Sequence, residues 1–313
     1  MPCNYPTRAY RTASYDDKGK RYVNVVFALT KGMDVLEYIK VPCGQCTGCK
    51  LERSRQWALR CMHEASLYEQ NCFVTLTYNE EHLPDLKSLD YRAFQLFMKR
   101  LRKQNTGKKI KFYMCGEYGD EGDRPHYHAA LFNHNFDDRE YYKTTPAGNR
   151  LYISETLNKL WSDENKEPLG YATIGDITFE SAAYIARYIM KKQNGKDKNW
   201  NYAVPDVETG EILYKEKEFA HMSLKEGIGL KFYKKWKSDI FPEDTCVING
   251  VKTLPPKYYL LKYKDEHPEE YDNLLQARQL RGISKQADNT EERLLVKETV
   301  AKAKVKFYLK RDL

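Results

Sequence analysis

The sequence predicts an α+β fold. A β-α-β-β-α-β core builds a central antiparallel sheet, with one added helix, a Cys-rich N-terminal extension and a helical C-terminal extension. Three observations lead there. Val-, Thr- and aromatic-rich runs alternate with amphipathic segments of helical period. The two central runs are separated only by Gly119-Asp-Glu-Gly-Asp-Arg124, turn chemistry that marks a hairpin. The second of them, Pro125-His-Tyr-His-Ala-Ala-Leu-Phe132, places His126 and His128 two residues apart, hence on one face of a strand.

In order, residues 1–70 form the extension, with a strand expected over 21–29. A helix follows over 54–69, where Trp57, Cys61, Ala65 and Tyr68 recur at helical spacing. The core domain is expected over 71–195. Its first strand covers 72–78. Asp90 is placed as the N-cap of a helix reaching 103, with Phe94, Phe97 and Leu101 as its apolar stripe. Arg100, Arg102 and Lys103 crowd its C-terminal end, where positive charge suits the dipole. The hairpin comes next, then a short helix over 154–161, a strand over 171–177, and a helix over 181–192 capped by Ser181. This order matches the ferredoxin-like, RRM-like arrangement. Two helices then cover one sheet face, and the added helix covers the other. Residues 196–313 form the C-terminal extension, with charged helices expected over 258–281 and 291–309.

The chain has 313 residues, enough for one large or two ordinary domains. With 41% hydrophobic and 31% charged residues it reads as globular. Net charge is +8 and 13% of residues are aromatic, which suits a polyanion partner such as nucleic acid. No apolar run approaches the ~18 residues of a membrane span. Met1-Pro-Cys-Asn-Tyr-Pro lacks the apolar core of a secretory signal. A cytoplasmic location is therefore expected, with the eight cysteines reduced unless metal holds them. No G-x-x-x-x-G-K-[ST] occurs, so no P-loop motor is evident.

The hairpin carries the chemistry. Closed at its turn, it pairs Tyr118 with Pro125 and sets Glu117 opposite His126. Glu117, His126 and His128 then share a face and make a 2-His-1-carboxylate site with open positions for water or substrate. A one-residue slip would remove Glu117 from that face. The alternative is a pair of surface or hydrogen-bonded histidines on a half-buried strand. Downstream, Tyr184 and Tyr188 are neighbours on one helix face, continued by Lys192 with Lys191 beside it. Ala182, Ile185, Ala186 and Ile189 already supply an apolar face. Packing is the competing role for both tyrosines in a chain with 25 of them.

Cys43-x-x-Cys46-x-x-Cys49 has metal-ligand spacing. Structural Zn²⁺ is expected there, with Cys3, Cys61 or His63 as fourth ligand. An iron–sulfur cluster is disfavoured because the Cys-Pro of the bacterial ferredoxin run is absent. Reduced thiols in a compact loop are the alternative. Leu230-Lys-Phe-Tyr-Lys-Lys-Trp-Lys237 interleaves aromatics with bases, as a strand-stacking segment or as an amphipathic helix with a basic face. Gly227-Ile-Gly229 would permit close backbone approach of DNA or serve an ordinary turn.

Taken together, the His-x-His strand, the Tyr-x-x-x-Tyr helix and Phe73-Val-Thr-Leu-Thr77-Tyr78 resemble the HUH endonucleases, the rolling-circle replication initiators. Val41-Pro-Cys-Gly-Gln-Cys-Thr-Gly-Cys49 with Arg53-Ser-Arg-Gln-Trp57, and Met222-Ser-Leu-Lys-Glu-Gly-Ile-Gly229, resemble the initiators of small single-stranded DNA phages, the microviruses and especially their gokushovirus-like branch. The resemblance covers roughly residues 40–235. It implies a nickase and ligase for single-stranded or melted origin DNA. Tyr184 and Tyr188 would be nucleophiles forming 5′-phosphotyrosine, with Lys191 and Lys192 activating them or binding phosphate. Mg²⁺ or Mn²⁺ would sit at Glu117, His126 and His128, although the ligand types also admit Zn²⁺. Host helicase and polymerase would be partners, in the cytoplasm of a bacterial host. The rival functions are a relaxase or transposase using the same site, and a non-catalytic zinc-stabilised DNA-binding protein.

Overall fold

A computed structural model of the chain describes residues 3–119, 122–188, 200–206 and 209–309. The N-terminal strands are β1 (Thr7–Tyr15), β2 (Arg21–Val26) and β3 (Asp34–Val41), followed by α1 (Thr47–Ala65). Then come β4 (Asn71–Thr77), α2 (Tyr91–Gln104), β5 (Lys111–Tyr118), β6 (Pro125–Phe132), β7 (Glu140–Thr144), β8 (Arg150–Ile153), α3 (Glu155–Leu160), β9 (Ala172–Gly175) and α4 (Phe179–Tyr188). The remainder holds β10 (Ala203–Pro205), β11 (Ile212–Tyr214), β12 (Phe219–Met222), α5 (Leu230–Ile240), β13 (Cys246–Ile248), β14 (Val251–Thr253), α6 (Lys257–Glu266), α7 (Pro268–Ile283) and α8 (Glu291–Leu309). The class is mixed α+β with a large antiparallel sheet, as the sequence predicts.

Two compact units divide the chain: Met1–Glu52 with Leu275–Lys310, and Arg53–Leu274. In the first unit the sheet order is β2-β1-β3, all antiparallel, with a bulge opposite Arg11 and Thr12. Of its strands only the one near 21–29 was expected. Polar and charged residues interrupt β1 and β3 so often that neither shows a clean alternation.

The second unit is built on a seven-stranded sheet, β12-β5-β6-β4-β9-β8-β7. Its four central strands lie in the order β5-β6-β4-β9, each antiparallel to its neighbour. Alternation sorts their side chains to two faces. One face carries Val74, Leu76, Met114, Tyr127, Ala129 and Leu131, packed against Phe94, Phe97, Met98 and Leu101 of α2 and Leu157, Leu160 and Trp161 of α3. Fully burying such side chains contributes about 1.5–3 kcal/mol apiece. The other face carries Tyr113, Cys115, Ala130 and Phe132 against Ala182, Ile185 and Ala186 of α4 and Ala58 and Cys61 of α1. The added helix therefore lies on the face the first two helices leave open.

Asp90 caps α2, accepting from the N–H groups of Arg92 and Ala93, and Ser154 caps α3. The cap of α4 corrects the expectation. Thr178, not Ser181, is the N-cap: its hydroxyl accepts from Ser181 N–H at 3.1 Å, while Ser181 Oγ accepts from Thr178 N–H at 2.8 Å. This is a reciprocal capping box, with Ser181 in the place usually held by Glu or Gln. α1 starts seven residues before the expected 54. The helix expected over 258–281 is two helices, parted at His267-Pro268, because proline lacks the N–H that continuation needs. The β7–β8 hairpin was not expected at all. Among the described residues, no helix is long and apolar enough to cross a membrane.

Candidate active site and metal centre

The β5–β6 hairpin closes in the predicted register. Gly119 N–H donates to Arg124 C=O at 2.9 Å, Tyr118 pairs with Pro125, and Glu117 pairs with His126. Gly119 leaves room for the His126 ring: a Cβ there would meet His126 Cε1 at 2.8 Å. Arg124 anchors the turn to Tyr78 C=O at 2.9 Å and to the Glu80 carboxylate. Glu117, His126 and His128 thus sit on the face that α4 covers.

Their hydrogen bonds set their chemistry. His126 Nδ1 lies 2.7 Å from Arg124 C=O. A carbonyl only accepts, so Nδ1 carries the proton and Nε2 of the neutral ring carries the lone pair, the arrangement of a metal-binding imidazole. His128 bridges two partners: Nδ1 lies 2.9 Å from Thr75 Oγ1 and Nε2 lies 2.8 Å from Glu117 Oε1. Both His128 and Glu117 are buried. Tyr184 reaches the same carboxylate, its hydroxyl donating to Glu117 Oε1 at 3.4 Å. Ser54 Oγ donates to Ala183 C=O at 2.8 Å and tethers α4 beside Tyr184.

A cleft of about 560 Å³ opens beside these groups, lined by Phe73, Thr75, His128, Tyr184, Arg150 and Tyr152 among others. The turn between β7 and β8 forms one of its walls. Sequence reading missed this wall and missed Thr75. The available signals were Thr144-Thr-Pro-Ala-Gly-Asn149, turn chemistry between two Tyr-containing runs, and the Phe73, Thr75, Thr77 alternation of β4. Tyr188 ends α4, and its side chain lies outside the described residues, as do Lys191 and Lys192 entirely.

Within the trio, Glu117 Oε1 and His128 Nε2 adjoin at 2.8 Å and bond each other. Among the described residues, the one set of three or more such side chains whose ligand atoms all lie within 4.8 Å is Cys3, Cys43, Cys46 and Cys49. Cys3 is therefore the fourth member. Cys61 and His63 are buried in the other unit, where His63 Nδ1 meets Tyr259 hydroxyl at 3.0 Å and its ring stacks on Phe232. Cys3 and Cys46 sulfurs stand 3.9 Å apart, close to the roughly 3.8 Å that tetrahedral zinc–sulfur bonds of ~2.3 Å require. Backbone N–H groups point at the sulfurs: Cys43 to Cys3 at 3.2 Å, Asn4 to Cys46 at 3.3 Å and Cys46 to Cys43 at 3.4 Å. Burial raises the Cys46 thiol, but the N–H donors of Asn4 and Cys49 outweigh it and bring it down to about 7. The group can hold a metal ion such as zinc.

Other expected contact segments are used for packing. The basic stretch from Leu230 is α5, with Tyr233 and Ile240 buried and lysines outward. Gly229 N–H donates to the buried Glu64 carboxylate at 2.7 Å, and a Cβ on it would meet Tyr259 hydroxyl at 2.4 Å. Glu64 also forms a buried ion pair with Lys111 at 2.7 Å.

Residues 71–193 match the family model described as replication-associated protein ORF2/G2P. Replication-associated protein VP4 of Bdellovibrio phage phiMH2K is 33% identical over 284 residues, 87% of this chain and 81% of that one. This chain belongs to the family of phage replication-associated proteins. Replication-associated protein ORF2 of Spiroplasma virus 4 is 32% identical, over 74% of this chain and 70% of that one. Replication-associated protein ORF4 of Chlamydia phage 1 is 29% identical, over 77% and 59%. No solved structure matches the chain. Within the family-model match lie β5, β6 and α4, hence Glu117, His126, His128, Tyr184 and Tyr188.

Proposed function

We propose that this protein initiates rolling-circle replication of a small circular phage DNA genome by nicking and rejoining single-stranded or melted origin DNA. The observation that carries the reading is the meeting of Tyr184 with Glu117 and His128 at the edge of an open cleft. A tyrosine there can reach an exposed phosphodiester, whereas a duplex must first be opened. The phenol oxygen gives up its proton and attacks phosphorus, the P–O3′ bond breaks, and the departing 3′ oxygen takes a proton in return. The 5′ phosphate stays on tyrosine and the free 3′-OH is a primer for a polymerase. Rejoining reverses the step: a 3′-OH attacks the phosphotyrosine and releases the phenol. Bond energy is kept in the ester, so no nucleotide hydrolysis is needed. Unwinding and synthesis fall to host helicase and polymerase, in the cytoplasm of the bacterial host.

Glu117, His126 and His128 supply the oxygen and nitrogen donors that Mg²⁺ or Mn²⁺ would take. Such an ion would polarise the scissile phosphate. Its binding would replace the Glu117–His128 hydrogen bond. In this reading Tyr184 and Tyr188 serve in turn, and Lys191 and Lys192 act as phosphate or phenol partners. Zinc at the four cysteines is structural. The Glu117–His128 bond also favours one second reading, a non-catalytic DNA-binding protein in which that pair only braces the sheet. A nicking assay on supercoiled plasmids carrying candidate origins, with and without Mn²⁺, separates the two. Metal-dependent nicks ending in covalent protein support the initiator, and binding without nicks supports the second reading.

A further inference from the structure

The three-stranded sheet of the first unit lies outside the residues the family model matches, and its two faces differ sharply in charge. Register decides which side chains share a face. Tyr10 pairs with Tyr38, Arg8 with Lys40, Ser14 with Tyr22 and Thr12 with Asn24. One face therefore presents Tyr10, Tyr22 and Tyr38 with Arg8 and Lys40. Tyr10 and Tyr38 meet edge to face with centroids 5.9 Å apart, which confirms the shared side. Lys20, just before β2, holds its ammonium 5.6 Å from the Tyr22 ring.

The acids of these strands go to the opposite face. Asp34 pairs with Ala13 and Glu37 with Arg11, and Glu37 forms an ion pair with Arg11 at 2.6 Å. Ala9 and Ala13, on that same opposite side, are buried. The tyrosine face is open: Tyr22 is 42% exposed and Tyr38 49%. The phenols of this face stand among Arg8, Lys20 and Lys40, with Val26, Val35 and Asp16, which accepts from the Tyr22 hydroxyl at 2.9 Å, as further neighbours, so a purely hydrophobic partner would not match it. A single-stranded polyanion with stacking bases would, because every base has a π-face and every linkage a charge.

We propose that this face is a second single-stranded DNA-binding surface, on which Tyr22 and Tyr38 stack bases while Arg8, Lys20 and Lys40 contact phosphates. The levels of Tyr22 and Tyr38 differ by four residues along β1, about 13 Å at ~3.3 Å per residue. One strand crossing the sheet diagonally meets both rings. The surface requires no cleavage chemistry, so it stands or falls apart from the nicking reading.

The experiment is fluorescence anisotropy of the full-length protein with labelled oligothymidylate of about 20 nucleotides, enough for several stacking sites, without added divalent ion. The double variant Tyr22→Ala/Tyr38→Ala is expected to lose tenfold or more in affinity, while Tyr22→Phe/Tyr38→Phe stays within about threefold of wild type. Arg8→Ala/Lys40→Ala is expected to lower the salt slope by about 1.4, at ~0.7 per phosphate contact on a single strand. Matched circular dichroism of the Ala and Phe pairs separates lost stacking from lost structure. Wild-type affinity in the Ala pair overturns the proposal. So does an unchanged affinity accompanied by loss of a concentration-dependent dimer, which would assign the face to a second copy of the chain.

Discussion

Tyr184 stands edge-on to His128, with ring centroids 5.1 Å apart and planes at 89°. The T-shaped contact fixes the phenol while its hydroxyl points to Glu117. One strand histidine thereby aligns both a proposed nucleophile and a proposed metal-binding carboxylate.

Replacing the imidazoles tests that assignment. His126→Ala/His128→Ala is expected to cut Mn²⁺-dependent cleavage of an origin oligonucleotide by about 10³-fold or more. Binding of the same oligonucleotide is expected to change little. Undiminished metal-dependent cleavage would remove the trio from the mechanism.

Alternation of the tyrosines has its own signature. Tyr184→Phe and Tyr188→Phe are each expected to form a covalent adduct with an origin oligonucleotide, yet to fail in sustained circle production. The double variant is expected to form none. Mass spectrometry of DNA-linked peptides reads the outcome. Adducts confined to one tyrosine, with normal replication by the other variant, would leave the second tyrosine a packing role.

Purified protein is expected to contain about one zinc per chain, as a Cys₄ site binds. Cys46→Ser is expected to lose the metal and to lower the thermal midpoint of the first unit, measured by elemental analysis and calorimetry. Metal-free wild-type protein with an unchanged midpoint would favour reduced thiols.

Acid sensitivity is expected to follow His63. Burial pushes its imidazole down to about 4. Between that value and the ordinary value near ~6.5, the unfolded chain binds more protons, so stability rises with pH there and is lost as pH falls. Between about pH 7 and pH 4, wild type is expected to lose about 3 kcal/mol more than His63→Gln, by urea unfolding. Equal losses would mean that His63 charges without cost.

Gly229→Ala is expected to cost about 2 kcal/mol or more. Its φ is 82° and the added methyl would strike the Tyr259 hydroxyl. Chemical denaturation measures it, and a loss under about 0.5 kcal/mol, the range of ordinary surface changes, would show that α5 shifts to make room.

The hairpin was legible in the sequence because its determinants are local. A six-residue turn rich in Gly and Asp fixes the register, and the register fixes which side Glu117 takes. The placement of α4 was legible from Ala182, Ile185 and Ala186, which form a continuous apolar stripe. Other features depend on distance along the chain. Nothing near Cys43 distinguishes Cys3 from Cys61 or His63; only the fold brings Cys3 back across 40 residues. The cap of α4 was misplaced because Thr178 and Ser181 are both good caps and bond each other. The β7–β8 hairpin escaped because Tyr141 and Tyr142 are exposed and β7 has no buried residue, so no apolar alternation marks it.

The union of Cys3 with Cys43, Cys46 and Cys49 would turn a linear segment into a ring once zinc occupies it. Closing a loop of this length removes about 4 kcal/mol of freedom from the unfolded chain, by the loop-entropy relation for cross-links. The tyrosine-bearing sheet hangs inside that ring, between Cys3 and Cys43. During synthesis the ring cannot shut until Cys49 has left the ribosome, so the first sheet is completed only after all three of its strands exist. If zinc fills the site, metal supply would then bear on how readily the first unit reaches its ordered form, since the ring closes around the whole sheet.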